Sequence, residues 1–196
     1  LQKKLAACSS YDERFELAEY FVATWGGVAT NKTLKEKLKY FDEIQDLNDV
    51  DTLDGVSSWS KYLSLRHPDA AIYDSRVAYA INAINYLANN TEKFFPIPTG
   101  RSSKLALLDI ETLFVLRKLS TQAGFIAQED LEHRQIANRV KKKFHLSEEI
   151  AYNAYLYLLD KVALILNIKS DRSKIEMLLF SLAPTKIFER LVSEVE

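Results

Sequence analysis

The sequence predicts an all-α protein, and three observations carry that prediction. Apolar residues recur at three- and four-residue intervals nearly throughout. No stretch sustains the period-two alternation of a strand. Only 5 glycines and 4 prolines interrupt the 196 residues. Together these predict a single all-helical domain over residues 1–196, with an irregular loop about 90–103 between two helical lobes.

Ser10 and Glu13 read as a capping box. Behind it Tyr11, Phe15, Ala18, Val22 and Trp25 share one face of a helix that ends at Gly26 and Gly27. Thr33 and Glu36 read as a second capping box, with Leu34, Leu38, Phe41, Ile44 and Leu47 inward. A short helix over 58–66 stops before Pro68. Val77, Ala80, Ile81, Ile84 and Leu87 mark the next, ending at Asn89 and Asn90. Pro96, Pro98 and Gly100 then break the chain. Beyond them the pattern predicts one helix over 105–119 and a polar, peripheral one over 130–144. A long helix capped by Ser147 follows, with Ala151, Tyr155, Leu158, Val162 and Ile165 on one stripe. Helices over 173–182 and 184–195 complete the chain, the last with Pro184 near its first turn.

The composition, 47% hydrophobic and 27% charged, gives a large core and excludes disorder. Apolar runs stop well short of the roughly 20 residues a membrane span needs, so no membrane partner is expected. With 26 Lys and Arg against 27 Asp and Glu, net charge −1, a uniformly basic coat is excluded and only a local basic face remains. Lys32, Lys35, Lys37 and Lys39 read as a solvated helix face. Arg139, Lys141, Lys142 and Lys143 read as a helix end, with phosphate contact as the alternative. The single Cys8 excludes an internal disulfide framework. No secretory signal opens the chain, which points to the cytoplasm. Leu1 in first place and Met177 as the one methionine predict a missing native N-terminus.

His67, His133 and His145 have no ligand spacing, so no metal is expected. There is no glycine-rich phosphate loop, zinc-protease helix or nucleophile elbow, and no cofactor is implied.

One segment does not read as helical filler: Leu53-Asp54-Gly55-Val56-Ser57-Ser58-Trp59-Ser60-Lys61, then Pro68, then Ile72-Tyr73-Asp74-Ser75-Arg76-Val77. Over residues 53–77 it resembles the core of the helix-hairpin-helix DNA glycosylases, and in particular a bacterial group that is 8-oxoguanine-glycosylase-like. In that superfamily a Leu-Pro-Gly-Val-Gly hairpin opens a helix, and a later apolar run ends in an aspartate followed by a small residue, His and Val. The resemblance implies a glycosylase-like helical fold and duplex DNA as partner. Backbone amides around Gly55, Ser57 and Ser58 would hold a phosphate at the helix start, with Arg76, Lys141, Lys142 and Lys143 as further contacts. A damaged base, by analogy an oxidised purine, would be rotated out of the duplex. Asp74 would stabilise the developing oxocarbenium charge and position the nucleophile, which is water in monofunctional members and a lysine of the hairpin helix in members that also cleave the strand, with Lys61 as the candidate Schiff-base nucleophile.

The segment departs from that pattern at several places. Asp54 replaces the proline, Ser57 the second glycine and Arg76 the histidine, and the interval to the aspartate is shorter. Aligned on Gly55, the Schiff-base position holds Trp59, and Lys61 lies roughly 200° around the helix from it. That angle predicts that Lys61 points away from Asp74, as a solvated lysine. Trp59, Tyr62 and Tyr73 are candidates to stack on an extruded base, or core. Asp74 reads otherwise as a helix N-cap, and Arg76 as its ion-pair partner. The predicted function is a DNA glycosylase-like protein. Its rivals are a catalytically silent DNA-binding relative and a helical module for a protein partner or a second copy. The carboxylate of Asp74 is expected to face a nucleotide-sized groove beside the Gly55 turn.

Overall fold

A computed structural model describes residues 1–27, 33–90, 93–99, 103–132, 142–168 and 171–195. It is predominantly helical, as the apolar spacing predicts, with no strand among the described residues and one isolated bridge between Phe94 and His145. In chain order the helices are α1 (Gln2–Ala6), α2 (Tyr11–Glu19), α3 (Leu34–Glu43), α4 (Val56–Arg66), α5 (Ser75–Leu87), α6 (Ser103–Leu107), α7 (Ile110–Thr121), α8 (Gln128–Leu131), α9 (Glu148–Ile165), α10 (Arg172–Leu182) and α11 (Phe188–Val195). Wide π-turns continue α2 over Tyr20–Trp25 and precede α11 over Ala183–Ile187. No helix of the described residues is long and apolar enough to cross a membrane.

The chain divides into two compact units, Leu1–Asp74 with Glu148–Leu178, and Ser75–Ser147 with Leu179–Glu196. In the first, the core is built on aromatic rings. Trp59 is fully buried, stacked on Phe41 at 4.5 Å between centroids and edge-on to Tyr152 at 4.8 Å. Tyr73 meets Tyr155 edge-on at 5.1 Å. Such pairs add directional attraction to the burial of large rings. In the second unit, Tyr79, Ala83, Phe94, Leu105, Ile110, Phe114, Phe188 and Leu191 form one apolar cluster. The irregular stretch Phe94-Phe95-Pro96-Ile97-Pro98 lies inside this unit.

Several local expectations are corrected. The Ser10 hydroxyl accepts from Glu13 N at 3.3 Å, but the Glu13 carboxylate takes its return bond from Ser9 N at 2.8 Å. Thr33 supplies no side-chain cap to α3. The π-turn after α2, closed by Gly26 N donating to Phe21 O at 2.9 Å, adds a residue to the turn. That slips the apolar stripe and leaves Trp25 exposed, stacked on Phe21 at 4.6 Å. The helix predicted over 105–119 is two, because Asp109 caps a fresh start by accepting from Thr112 N at 2.9 Å. The predicted stripe of α9 holds at Ala151 and Tyr155, but the buried face also takes Tyr152 and Leu156 and continues through Leu159 and Ala163 in place of Leu158 and Val162, so Ile165 is exposed. Asp130 of the segment predicted to be peripheral is fully buried, and the part of that segment over 133–141 lies outside the described residues.

Candidate functional site

The turn that starts α4 is made as its sequence requires. Gly55 takes φ +71°, the left-handed region that side chains other than glycine enter at a cost. Val56 N donates to Leu53 O at 3.0 Å and Ser58 N to Gly55 O at 2.8 Å, so two amides of the turn are engaged within it. Asp54, the acid in place of the superfamily's proline, is neutralised by Lys37 of α3, with Nζ to Oδ2 at 2.6 Å. Lys37 is therefore part of the turn, which its reading as helix-face filler missed. Ser57 and Ser58 are half-buried.

Lys61 corrects the sequence reading most sharply. It is 5% exposed, not solvated, and its Nζ donates to Ser57 O at 2.5 Å. Burial lowers its pKa, while the carboxylates of Asp74 and Glu176 act in the opposite direction. Lys61 is thus a buried lysine held by a carbonyl of its own helix, within the influence of the Asp74 charge. Trp59 turns to the core instead, its indole N–H donating to Asp54 O at 3.0 Å. Tyr62 and Tyr73 are fully buried too, Tyr62 hydrogen-bonded to Asp42, so none of the three aromatic rings is presented to an extruded base.

Gly26 closes over the lysine stem. A Cβ built there would lie 2.8 Å from Lys61 Cδ and Cε and 2.6 Å from Val22 O. Neither Gly26 nor Val22 belongs to the motif, and only their position at the end of α2 brings them here.

Asp74 is half-buried at the end of an extended segment whose backbone is held by side chains from three helices. Tyr152 OH of α9 donates to Ala71 O at 3.0 Å, and Tyr155 OH to Ile72 O at 2.9 Å. Ser60 Oγ of α4 accepts from Tyr73 N at 3.1 Å, and Glu176 Oε2 of α10 accepts from Ile72 N at 3.2 Å. A segment with no sheet or helix of its own must find such partners when buried. The result is a rigid support that fixes where Asp74 leaves it. Glu176 was missed by the sequence reading. Its one signal was an acid beside Ile175 on the inward side of α10.

Burial pushes the Glu176 carboxyl up to about 7; Asp74 pushes the same way, and the Ile72 amide and Lys61 oppose it. Burial also raises both phenols, Tyr152 and Tyr155, so they remain neutral donors. Two buried groups, the Lys61 amine and the Glu176 carboxyl, with the half-buried Asp74 acting on both, make a set of titratable side chains suited to moving a proton near neutrality.

The remaining candidates belong to the second unit. The Arg76 guanidinium lies 4.6 Å from the Phe180 ring centroid. Lys143 pairs with the buried carboxylate of Asp130, which gives it a structural task, and Lys142 is exposed. Lys141 lies outside the described residues. A cleft of about 630 Å³ in the first unit is lined by Asp46, Asn48, His67, Asp69, Asp160 and Arg172 among others, none of them a candidate from the motif. Among the described residues no cluster of His, Cys, Asp or Glu is placed to hold a metal ion. Compared with protein-family models, with curated proteins and with solved structures, the chain matches none.

Proposed function

We propose that this chain is a helix-hairpin-helix DNA glycosylase-like protein that engages duplex DNA at the Gly55 turn and excises a damaged base, by analogy an oxidised purine. The observation that carries the reading is a buried amine, Lys61, on the helix that the Gly55 turn opens, with the charge of Asp74 acting on it. A nucleophilic lysine must be neutral when it attacks, and burial favours that form. The Lys61 nitrogen lone pair bonds to the sugar C1′, and the C1′–base bond breaks with its electron pair leaving on the base, which takes up a proton. The nitrogen then loses a proton, and its lone pair forms the C=N bond as the C1′–O4′ bond breaks with its electrons going to O4′, which takes up a proton; the product is the protonated imine that borohydride reduces. Asp74 stabilises the positive charge that develops at C1′.

The test is borohydride trapping on duplexes containing 8-oxoguanine or a single abasic site. The wild-type chain should form a covalent adduct that Lys61→Gln abolishes, while Asp74→Asn slows base release by about a hundredfold or more at unchanged melting temperature. A second reading, a silent DNA-binding relative, is favoured by the cover over Lys61 and its bond to Ser57 O. Retention of duplex at low salt with neither adduct nor base release selects it. Absence of retention at low salt, where phosphate contacts are strongest, removes both.

A further inference from the structure

Glu176 lies outside the motif, yet it touches the same machinery from a helix that is distant in sequence. Its carboxylate accepts the Ile72 amide at 3.2 Å, two residues before Asp74, and it is 5% exposed, as is Lys61. The charged and titratable groups around it are Lys61 from α4, Asp74 from the extended segment, Tyr152 and Tyr155 from α9, and Arg172 one turn earlier on α10. Arg172 is already committed to Asp160 through Nε and Nη2 at 2.7 and 2.6 Å, and it also donates to the Asp69 carbonyl. Both phenols donate to backbone carbonyls. Lys61 is thus the cation whose state Glu176 is placed to change.

We propose that Glu176 is a positioning residue of this site: its carboxyl clamps the segment that carries Asp74 and, by being neutral or charged, decides how firmly Lys61 holds its proton. The proposal rests on the glycosylase reading for its chemistry. When Glu176 carries a proton, Asp74 is the one carboxylate of the pair that favours the ammonium, and the reactive amine is more populated. When Glu176 ionises, a second negative charge holds the proton on Lys61. The carboxyl that ordinarily ionises well below neutrality is kept protonated by its burial, up to about 7, so the exchange falls near physiological pH.

The experiment titrates the full-length protein, labelled with ¹³C in lysine and glutamate, and follows the Lys61 Cε and Glu176 Cδ resonances. Glu176→Gln keeps an amide oxygen for Ile72 and removes the charge. It should lower the Lys61 midpoint by roughly half a unit or more, and the pH profile of adduct formation on an abasic duplex should move down with it. An unmoved Lys61 midpoint overturns the proposal. Should the variant fail to fold, the wild-type titration decides: the Lys61 resonance must respond over the range in which Glu176 titrates, and independence of the two overturns it. A moved midpoint in a protein that forms no adduct supports the charge coupling and sinks the glycosylase reading instead.

Discussion

At Gly26 a missing side chain does as much as any present one. The residue has ordinary φ and needs no glycine for its backbone, so its smallness serves the neighbouring lysine. A methyl group there would meet the Val22 carbonyl, which cannot swing aside, as well as the Lys61 methylenes. Gly26→Ala should therefore lower stability by about 1–3 kcal/mol, the usual range for overpacking. It should also displace Lys61, weakening adduct formation beyond what the stability loss explains. Urea unfolding together with borohydride trapping checks both. Unchanged stability would mean that the end of α2 relaxes freely, and Gly26 would lose its role as cover. The same reasoning separates Lys61 from Lys37: one is held by burial and a carbonyl, the other by an exposed ion pair to Asp54 that salt will screen.

Irregular segments are where elements depend on single side chains. Asn82 of α5 is fully buried, and its amide donates to Phe95 O at 2.8 Å while its carbonyl accepts from Phe95 N at 2.9 Å. This one side chain replaces a sheet neighbour for the Phe-Phe-Pro stretch. Asn82→Leu keeps the volume and orphans a buried N–H and a buried C=O, each worth about 1–3 kcal/mol. A fall in midpoint of that size, with faster amide exchange at Phe95, is the expected outcome; exchange at Phe95 unaltered would show the segment held by its rings instead. Nothing local in the sequence announces this pairing, although the prolines announce the break. The contrast runs through the molecule. Helices and the Gly55 turn are legible because each is written within a few residues. The burial of Lys61 is not, because alignment on Gly55 puts Trp59 toward the acid and leaves Lys61 for solvent. The roughly 200° between them on an ideal helix is compatible with the structure: the indole faces the Phe41 and Tyr152 rings, and the lysine amine is buried on Ser57 O. Glu176 meets Ile72 across a separation of 104 residues, which no helical period encodes.

At the scale of the whole molecule, a net charge of −1 gives little general attraction to DNA, so any binding has to come from local geometry, and stability should carry the mark of the buried acid. Glu176 has its pKa raised on folding from 4.5 to about 7, so the folded state binds more protons than the unfolded state between those values. Its contribution is fully present below pH 4.5 and is lost as pH rises through about 7. A full shift of that size corresponds to at most about 3 kcal/mol, or roughly 6–12 °C in a chain of this length. His67 works in the opposite sense: burial depresses its pKa, so its contribution grows as pH rises toward 6.5. Lys61, also depressed, adds stability at still higher pH, on the way to 10.5. The wild-type curve alone therefore mixes opposed effects, and the difference between variants isolates one of them. Glu176→Gln should melt near the wild-type temperature at pH 5, where the glutamate is protonated and nearly isosteric with the amide. The variant should gain steadily on the wild type up to pH 8, as the wild type is forced to ionise a carboxyl in its core. Parallel melting curves for the two proteins across that range would mean that Glu176 titrates as an ordinary surface acid, and the raised pKa would be overturned.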